Sequence, residues 1–338
     1  MLRFAGKKGT GVERCSPCAG QAGPSAWSNE PSFQFKFLLN DIFKLSTEVA
    51  AALQTGEPVV ALESTVIAHG LPRPLNMKTA MRLEQVVREG GATPATIAVL
   101  SGKVCIGLNE DQLAHIAEQA HIRKISIRDL PVAVTEGVDG ATTVAATIWI
   151  AHRVGIEVFA TGGIGGVHRG ALQDVSADLP QIAQTPLVIV CSGAKAILDL
   201  SATREWLETY GVTVVGYGTQ DFPAFYSRNC GLQVDVRCDS PEAIAVLIRA
   251  QRKLKIGSAL LVTVPVPSEV EIPIDQLSEY VTNAFAEAER AGISGALVTP
   301  FLLSAMAKNS EGATLRANIA LLENNALVAA SIARTLRT

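Results

Sequence analysis

The stretch ATTVAATIWIAHRVGIEVFATGGIGGVHRG, residues 141–170, best indicates how this chain folds. Its first half is apolar at almost every position, which is typical of a helix buried on all sides. Residues 156–160 then form a short apolar run that leads into glycines, as a buried strand does where it ends in a loop. A buried helix followed at once by a buried strand predicts a parallel sheet covered by helices.

The same alternation continues along the chain from Pro58 onward. The runs PVVALES (58–64) and LVIVCSGAK (187–195) are strand-like, whereas MKTAMRLEQVVREGG (77–91) has helical spacing and ends in a glycine pair, a helix-stop signal. A further helix is predicted to begin at Ala196, directly after the second of these strands. The sequence therefore predicts an α/β fold with a largely parallel central sheet and helices on both faces.

The N-terminal residues 1–45 differ from the rest because they are rich in Gly, Ser and Pro and show no sustained periodicity. This composition predicts a disordered extension, although a wrongly assigned start or a targeting segment would look the same. Cys15 and Cys18 form a CxxC pair without a second ligand pair, which favours chance spacing over zinc or redox chemistry. We predict a short amphipathic helix from about Asp41 to Leu53 and a single domain over residues 46–338.

Composition and charge disfavour several classes of protein. Hydrophobic residues make up 48% of the 338-residue chain and charged residues 18%, which supplies a sizeable core and excludes global disorder. The net charge is −3 and aromatic residues are only 5%, so neither nucleic-acid binding nor base stacking is favoured. No apolar run is long enough for a transmembrane helix. Six cysteines in a chain of this length favour buried thiols, as at Cys105 and Cys191, and a reducing compartment.

Two strand ends carry groups suited to acid–base and nucleophilic chemistry, and ligands of α/β sheets bind beyond the carboxyl ends of strands. Glu63 follows an apolar run, where it is either a turn or capping residue or a general acid whose pKa is raised by partial burial. Lys195 is predicted in the first turn of the helix after its strand, where a cation opposes the helix dipole. That position favours a neutral, nucleophilic amine over an exposed surface lysine.

Two loops carry groups suited to binding an anion or a cation. The glycine cluster Gly162–Gly166 follows a strand and precedes His168 and an arginine, so its amides either bind a phosphate or only form a tight turn. The segment DVSADL, which begins at Asp174, holds two carboxylates four residues apart with Ser176 between them. The carboxylates either share a helix face and hold one hard cation with its waters, or the serine simply caps a helix.

Several long motifs occur in order along roughly residues 45–335. They are VALESTVIAHGLPRP (60–74), GATPATIAVLSGKVCIGL (91–108), the stretch 141–170, DVSADL (174–179), CSGAKAILDLSATREWLETYGV (191–212), and the C-terminal TPFLL (299–303) with LRANIALLENNALVAASIA (315–333). Together they resemble the pseudouridine-5′-phosphate glycosidase family, and their length makes them far more specific than a lone glycine pattern.

The resemblance implies an enzyme that reversibly cleaves the C–C glycosidic bond of pseudouridine 5′-phosphate, giving uracil and ribose 5-phosphate. It also implies a three-layer α/β/α sandwich, a homotrimer, and one divalent ion per subunit, typically Mn²⁺, beside the phosphate. Because no sugar-kinase segment is fused to this sequence, we expect a separate kinase to phosphorylate pseudouridine during its catabolism. We expect the enzyme to be cytoplasmic.

Residue by residue, the resemblance implies that Lys195 is the nucleophile that forms an imine with ring-opened ribose, and that Glu63 donates a proton to the uracil carbon. A C–C glycoside has no leaving-group oxygen to protonate, so two carboxylates would not suffice, whereas an imine provides an electron sink. Asp174 is implied as the metal ligand and Asn318 as an amide that contacts the base. The other implied substrate contacts are Lys124, the backbone of Val144, Ser176, Ala177 and Asp178, with Thr143, Thr161 and His168 as neighbours of the site.

Three departures from the family pattern concern phosphate binding and one loop rather than the two catalytic candidates. Ile127 stands where the family usually has a second arginine. The loop near Gly218 has a different sequence from the usual one, and the polar pair that often precedes Thr299 is missing. Two rival functions are a binding protein that has lost catalysis and an ordinary N- or O-glycoside hydrolase. The first is disfavoured because both Lys195 and Glu63 are present, and the second would need another carboxylate beside Glu63.

Overall fold

Strands and helices alternate along the computed structural model, which describes residues 41–170, 174–295 and 298–337. The strands there are β1 (Phe43–Leu45), β2 (Val59–Glu63), β3 (Thr93–Leu100), β4 (Lys103–Ile106), β5 (Arg123–Ile125), β6 (Gly140–Thr142), β7 (Val158–Ala160), β8 (Val188–Cys191), β9 (Thr213–Tyr217), β10 (Val236–Cys238) and β11 (Leu260–Thr263). The helices there are α1 (Thr47–Thr55), α2 (Leu75–Glu89), α3 (Glu110–Glu118), α4 (Leu130–Glu136), α5 (Val144–Arg153), α6 (Asp178–Ile182), α7 (Leu200–Thr209), α8 (Pro241–Lys253), α9 (Ile274–Arg290), α10 (Val298–Asn309) and α11 (Ala313–Thr335).

The strands form one sheet in the order β1-β4-β3-β2-β7-β8-β11-β9-β10, with β6 pairing with β3 and β5 beside this path. All neighbouring pairs are parallel except those of β3 with β4 and with β6. Parallel strands need crossover helices, and these cover the sheet. The predicted three-layer α/β/α sandwich with a largely parallel sheet is therefore confirmed.

The stretch that indicated the fold lies at the centre of the sheet. Helix α5 is buried over most of its length, as its apolar composition predicts. Strand β7 follows it and pairs with β2 on one side and β8 on the other, and all three strands are buried. The carboxyl ends of β2, β7 and β8 thus meet at one edge of the sheet.

Helix boundaries follow local signals where these are strong. Helix α2 ends at Glu89, directly before the glycine pair that predicted its end. Helix α3 begins after Asn109, whose side chain accepts a hydrogen bond from the Gln112 backbone N–H while the Gln112 side chain accepts one from the Asn109 N–H. This reciprocal capping satisfies two amide groups that a helix start leaves without partners.

Two sequence predictions differ from the structure. Residues 43–45, where we predicted the start of a helix, form strand β1 and pair with β4, so the sheet includes part of the segment assigned to the N-terminal extension. The helix itself begins after Ser46, whose side chain accepts from the Val49 N–H. Helix α7 begins at Leu200, not at Ala196, because Asp199 caps it through the Ala202 N–H.

Burial of the thiols matches expectation, since Cys105 and Cys191 are both free and buried. Burial raises the pKa of the Cys191 thiol to about 12, which makes it unreactive. Cys15 and Cys18 lie outside the described residues, as does most of the predicted extension. Among the described residues, no helix combines the length and apolar character needed to cross a membrane.

Candidate active site

A cleft opens at the carboxyl ends of β2, β7 and β8 and has a volume of about 540 Å³, including the space open to solvent. Five of the side chains predicted from the sequence line it. They are Glu63, Lys124, Thr161, Lys195 and Asn318, joined by Gly162 and Gly163 of the glycine cluster. Ligands of parallel α/β sheets bind at this edge, so the structure places the predicted catalytic pair where catalysis is expected.

Glu63 is the last residue of β2 and is 7% exposed. The register of the sheet pairs Leu62 with Ala160, so the next residue along β7, Thr161, lies beside the carboxylate. Thr161 Oγ1 donates to Glu63 Oε1 at 2.5 Å. Burial raises the pKa of Glu63, against the opposing influence of Lys195 and the Thr161 hydroxyl. A buried carboxyl group that stays protonated to higher pH suits a general acid.

Lys195 lies just beyond β8 in a loop rather than in the first turn of a helix. Its backbone N–H donates to the Ile164 carbonyl at 3.1 Å, and Ala194 bridges to Ile164, which fixes the lysine against the glycine cluster. The next helix begins five positions later, at Leu200. The helix-dipole reason for a nucleophilic amine is therefore wrong, although Lys195 does line the cleft.

Four charged groups surround the reactive part of the cleft. Lys124, from β5, is partly exposed to solvent. Desolvation by the surrounding protein nevertheless lowers the pKa of its amine, and the nearby Lys195 lowers it further. Glu63 and Asp178 act on Lys124 in the opposite direction. Two carboxylates and two amines thus share one partly desolvated site, where electrostatic interactions are stronger than in water.

The Asp178 carboxylate accepts hydrogen bonds from the backbone and does not pair with a second carboxylate on a helix face. Its Oδ1 accepts from the Ala145 N–H at 2.9 Å, and its Oδ2 accepts from the Gly165 N–H at 2.8 Å. Asp178 is the first residue of α6, whereas Asp174 lies before that helix. The two carboxylates therefore do not share a helix face, so of the two alternatives that the sequence left open this one is wrong. Asp178 instead ties the start of α5 to the glycine cluster.

The glycine cluster is closely packed on the side where side chains would point. A Cβ atom on Gly163 would lie 2.6 Å from the ring of Phe225, and one on Gly165 would contact Ser176 Oγ. The Gly165 amide is already donated to Asp178, so it does not point at a ligand. Packing accounts for part of the glycine pattern, while Gly162 and Gly163 line the cleft and keep the anion-binding interpretation open.

Asp174 and His168 lie together beside the glycine cluster and outside the lining of the cleft. His168 Nδ1 is 3.3 Å from Asp174 Oδ1, and the Asp174 side chain is 66% exposed. Among the described residues, no three acidic, histidine or cysteine side chains come together as a metal cage. One exposed carboxylate suits a divalent ion that keeps most of its waters. The donor set at Asp174 therefore fits such an ion and does not fit a fully protein-coordinated one.

The remaining predicted residues have structural contacts. Thr143 caps α5 by accepting from the Ala146 N–H, and Val144 is the first, buried residue of that helix. Ser176 accepts from the Asp178 N–H through its hydroxyl at 3.3 Å, and Ala177 directly precedes α6. None of these side chains is among the cleft-lining residues described here. Their proximity to the glycine cluster places them next to the cleft, not in its wall.

Three residues of the site were not found from the sequence. His69 lines the cleft from the π-helical turn Val66–Gly70 that follows β2. Phe225 lines it with its backbone at φ 65°, a left-handed conformation that is strained for a side chain of this size. Asn325, fully buried in α11, donates to the Thr161 carbonyl at 2.9 Å and to Ser192 Oγ at 3.1 Å, which ties the ends of β7 and β8 together. His69 and Asn325 lay in motifs noted from the sequence, at 60–74 and 315–333, but neither was singled out there.

Fold and site together define an α/β enzyme with a buried acid at the end of β2 and a lysine amine beyond the end of β8, on the two sides of β7. The model of the family described as indigoidine synthase A like protein matches residues 48–335. Two relatives named pseudouridine-5′-phosphate glycosidase are similar over most of their length. The one from Methylobacterium nodulans is 51% identical over 88% of each chain, and the one from Herpetosiphon aurantiacus is 54% identical over 86% of this chain and 97% of its own. The chain belongs to this family, as the sequence motifs predicted.

Solved structures of the same fold agree. The chain is similar to an indigoidine synthase A-like protein from Thermotoga maritima, with a TM-score of 0.81 and 39% identity over 88% of this chain and 97% of that one. It is equally similar, at 38% identity, TM-score 0.81 and the same coverage, to prealnumycin C-glycosynthase AlnA, which was solved in complex with ribulose 5-phosphate. The assignment of the chain as an enzyme of the glycosidase/lyase type is thus confirmed.

Proposed function

We propose that this enzyme reversibly cleaves the C–C glycosidic bond of pseudouridine 5′-phosphate, giving uracil and ribose 5-phosphate. The observation that carries the proposal is a buried carboxyl group with a raised pKa, Glu63, in the same cleft as the amine of Lys195. The names of the curated relatives support the substrate, and a similar structure that holds a five-carbon sugar phosphate supports the class of ligand.

The proposed chemistry divides between the two groups. In cleavage, the amine of Lys195 attacks ribose C1′, the bond from C1′ to the ring oxygen breaks, and the amine's proton passes to that oxygen, which opens the sugar. The lysine nitrogen then donates its electron pair to form a C1′=N imine as the C–C bond breaks, and the electrons of that bond go to the uracil carbon. In synthesis the imine accepts the electron pair of the same carbon. Glu63 gives its proton to the uracil carbon during cleavage and takes it back during synthesis. Water then releases ribose 5-phosphate from the lysine. Burial of Glu63 supports its role as acid because it keeps the carboxyl group protonated to higher pH.

The rival hydrolase mechanism needs a second carboxylate that is free to act on the substrate. Asp178 is the carboxylate that influences the pKa of Glu63, and both of its oxygens accept backbone N–H groups. Asp178 is thus a positioning residue for the glycine cluster. Its engagement favours the imine mechanism over an ordinary glycosidase.

A divalent ion, Mn²⁺ in our proposal, would be held by Asp174 with waters and would supply positive charge beside the substrate phosphate. The further parts of the proposal are a homotrimer, a cytoplasmic location, a role in pseudouridine catabolism and a separate pseudouridine kinase. Sedimentation of the purified protein would test the trimer, with a monomeric species contradicting it.

The decisive experiment is to mix the protein with Mn²⁺, uracil and ribose 5-phosphate and to look for pseudouridine 5′-phosphate. Formation of the C-nucleotide supports the proposal, and its absence, together with no cleavage of added pseudouridine 5′-phosphate, overturns it. Borohydride reduction in the presence of ribose 5-phosphate tests the mechanism separately. A ribose adduct on Lys195 is expected, whereas an ordinary glycoside hydrolase would give none.

A further inference from the structure

His69 has a buried ring nitrogen that the protein leaves without a partner. Within residues 41–170, 174–295 and 298–337, no group hydrogen-bonds to its Nε2, although this atom is buried. Buried polar atoms in proteins nearly always have a partner, and an unpaired one costs free energy. Since His69 lines the cleft, a bound molecule is the natural source of the missing hydrogen bond.

The turn that carries His69 is fixed by hydrogen bonds to other segments of the protein. The buried Asn76 side chain donates to the Ile67 carbonyl at 3.0 Å and to the Ala117 carbonyl at 2.9 Å. Thr65 Oγ1 donates to the Ala141 carbonyl at 3.3 Å. These bonds hold the segment that begins directly after β2, so the imidazole and the Glu63 carboxyl group are positioned by one continuous stretch of chain.

The electrostatic surroundings favour an uncharged imidazole. Burial lowers the pKa of His69, and the nearby Lys124 lowers it further. An uncharged ring can donate or accept one hydrogen bond at Nε2, depending on its tautomer. It is suited to a neutral polar group rather than to a phosphate, for which a cation would be the better partner.

The rest of this part of the cleft also suits a neutral ring. The cleft walls include the apolar side chains of Val66, Phe225 and Leu303. Besides His69, the uncharged polar side chains that line the cleft are the amide of Asn318 and the hydroxyls of Thr65, Thr161 and Thr299. Apolar walls with a few fixed polar groups are typical of sites for small planar ligands. The charged groups of the cleft belong instead to the catalytic residues and to Lys124.

We infer that His69 is a specificity-determining residue whose Nε2 hydrogen-bonds the amide edge of the substrate's nucleobase. The inference rests on the proposed function, because it takes uracil as the base. In this inference His69 does not take part in imine formation. Its loss therefore weakens the reaction with uracil and leaves formation of the adduct between Lys195 and ribose 5-phosphate unchanged.

The test uses the full chain in the synthesis direction with three variants. His69→Leu removes the hydrogen bond, His69→Gln keeps a polar group of similar reach, and His152→Leu changes a histidine that does not line the cleft as a matched control. We measure kcat/KM for uracil at saturating ribose 5-phosphate, and separately the rate of borohydride-trapped adduct with ribose 5-phosphate alone. Thermal unfolding checks the fold of each variant.

For His69→Leu we expect kcat/KM for uracil to fall by about 10- to 100-fold, with adduct formation unchanged. His69→Gln should recover most of the loss, and His152→Leu should behave as the wild type. An unchanged kcat/KM for uracil, or an equal loss in adduct formation, would overturn the inference alone. An inactive wild type would overturn the proposed function and this inference with it. Should His69→Leu not fold, His69→Asn replaces it with the same expected loss, because the shorter amide does not reach as far as Nε2.

Discussion

Replacing Thr161 by valine removes the hydroxyl that donates to Glu63 Oε1 at 2.5 Å while keeping a side chain of similar shape in a buried position. A hydrogen bond to a neutral group contributes about 0.5–1.5 kcal/mol and one to a charged group about 1.5–3 kcal/mol. The free energy of unfolding should therefore fall by the smaller amount where Glu63 is protonated and by the larger amount where it is ionised. The loss caused by Thr161→Val is expected to grow with pH.

The sign follows from the pKa of Glu63, which burial raises above its ordinary value of 4.5. The folded protein holds this proton more tightly than the unfolded chain does, so the associated stability is present below pH 4.5 and is lost as the pH rises through the folded pKa. The Thr161 hydroxyl opposes the rise, and removing it raises the pKa further. For cleavage, kcat should fall as the pH rises through the pKa of Glu63, because the general acid must be protonated. In Thr161→Val this fall should therefore move to higher pH.

Urea unfolding between pH 5 and 9 measures the effect for the wild type, Thr161→Val and Thr161→Ser, which keeps the hydroxyl. Thr263→Val is the matched control, because Thr263 Oγ1 is also buried but donates to the neutral Val215 carbonyl at 3.0 Å. Its loss of stability should not depend on pH. If Thr161→Val shows the same pH-independent loss as Thr263→Val, and the kcat profile does not move, the coupling between Thr161 and Glu63 is refuted.

Four further outcomes are expected. Lys195→Ala is expected to abolish turnover but to leave thermal unfolding unchanged, since in the proposed mechanism its amine forms the imine; turnover like the wild type's would rule that mechanism out. Glu63→Gln lowers kcat by about 10²–10⁴-fold while the ribose adduct still forms, and a loss below tenfold would reduce Glu63 to a turn residue. Chelation suppresses activity and Asp174→Ala mimics it, because the ion would balance the phosphate charge; full activity after exhaustive chelation contradicts the assignment. Pseudouridine reacts at least about 10²-fold less efficiently than its 5′-phosphate, because donors built for a dianion are left unpaired at about 1–3 kcal/mol each, and equal kcat/KM values would refute a phosphate site.

The local sequence was sufficient to place the two main catalytic candidates. Apolar runs locate β2 and β8, and both Glu63 and Lys195 follow such runs. Strand ends in a parallel sheet share one edge, so the fold class places both residues at that edge. The strand order, with β7 between β2 and β8, then brings them into one cleft. The predicted start of a helix at Ala196 was wrong. The helical spacing of apolar residues extends to the N-terminal side of Asp199, so only the capping residue Asp199 marks where the helix begins.

Other parts of the site depend on contacts that sequence spacing does not encode. The motif DVSADL suggested two carboxylates on one helix face, but Asp178 turns to two backbone N–H groups, from Ala145 and Gly165, that are distant in sequence. Lys124 reaches the cleft although β5 joins the sheet only through β6. Phe225 lines the cleft from a loop, and no sequence pattern predicted its left-handed backbone conformation.

The sequence by itself determined the fold class and the family, because periodic burial and long motifs are properties of neighbouring residues along the chain. It also indicated the candidate catalytic pair, Glu63 and Lys195. The tertiary structure alone decided the raised pKa of Glu63, the hydrogen bonds from the backbone to Asp178 and the unpaired nitrogen of His69. The physical reason is that desolvation and hydrogen bonding depend on which groups from different strands meet in space. Those neighbours, Thr161 beside Glu63 and Lys124 beside His69, are set by the register and order of the sheet.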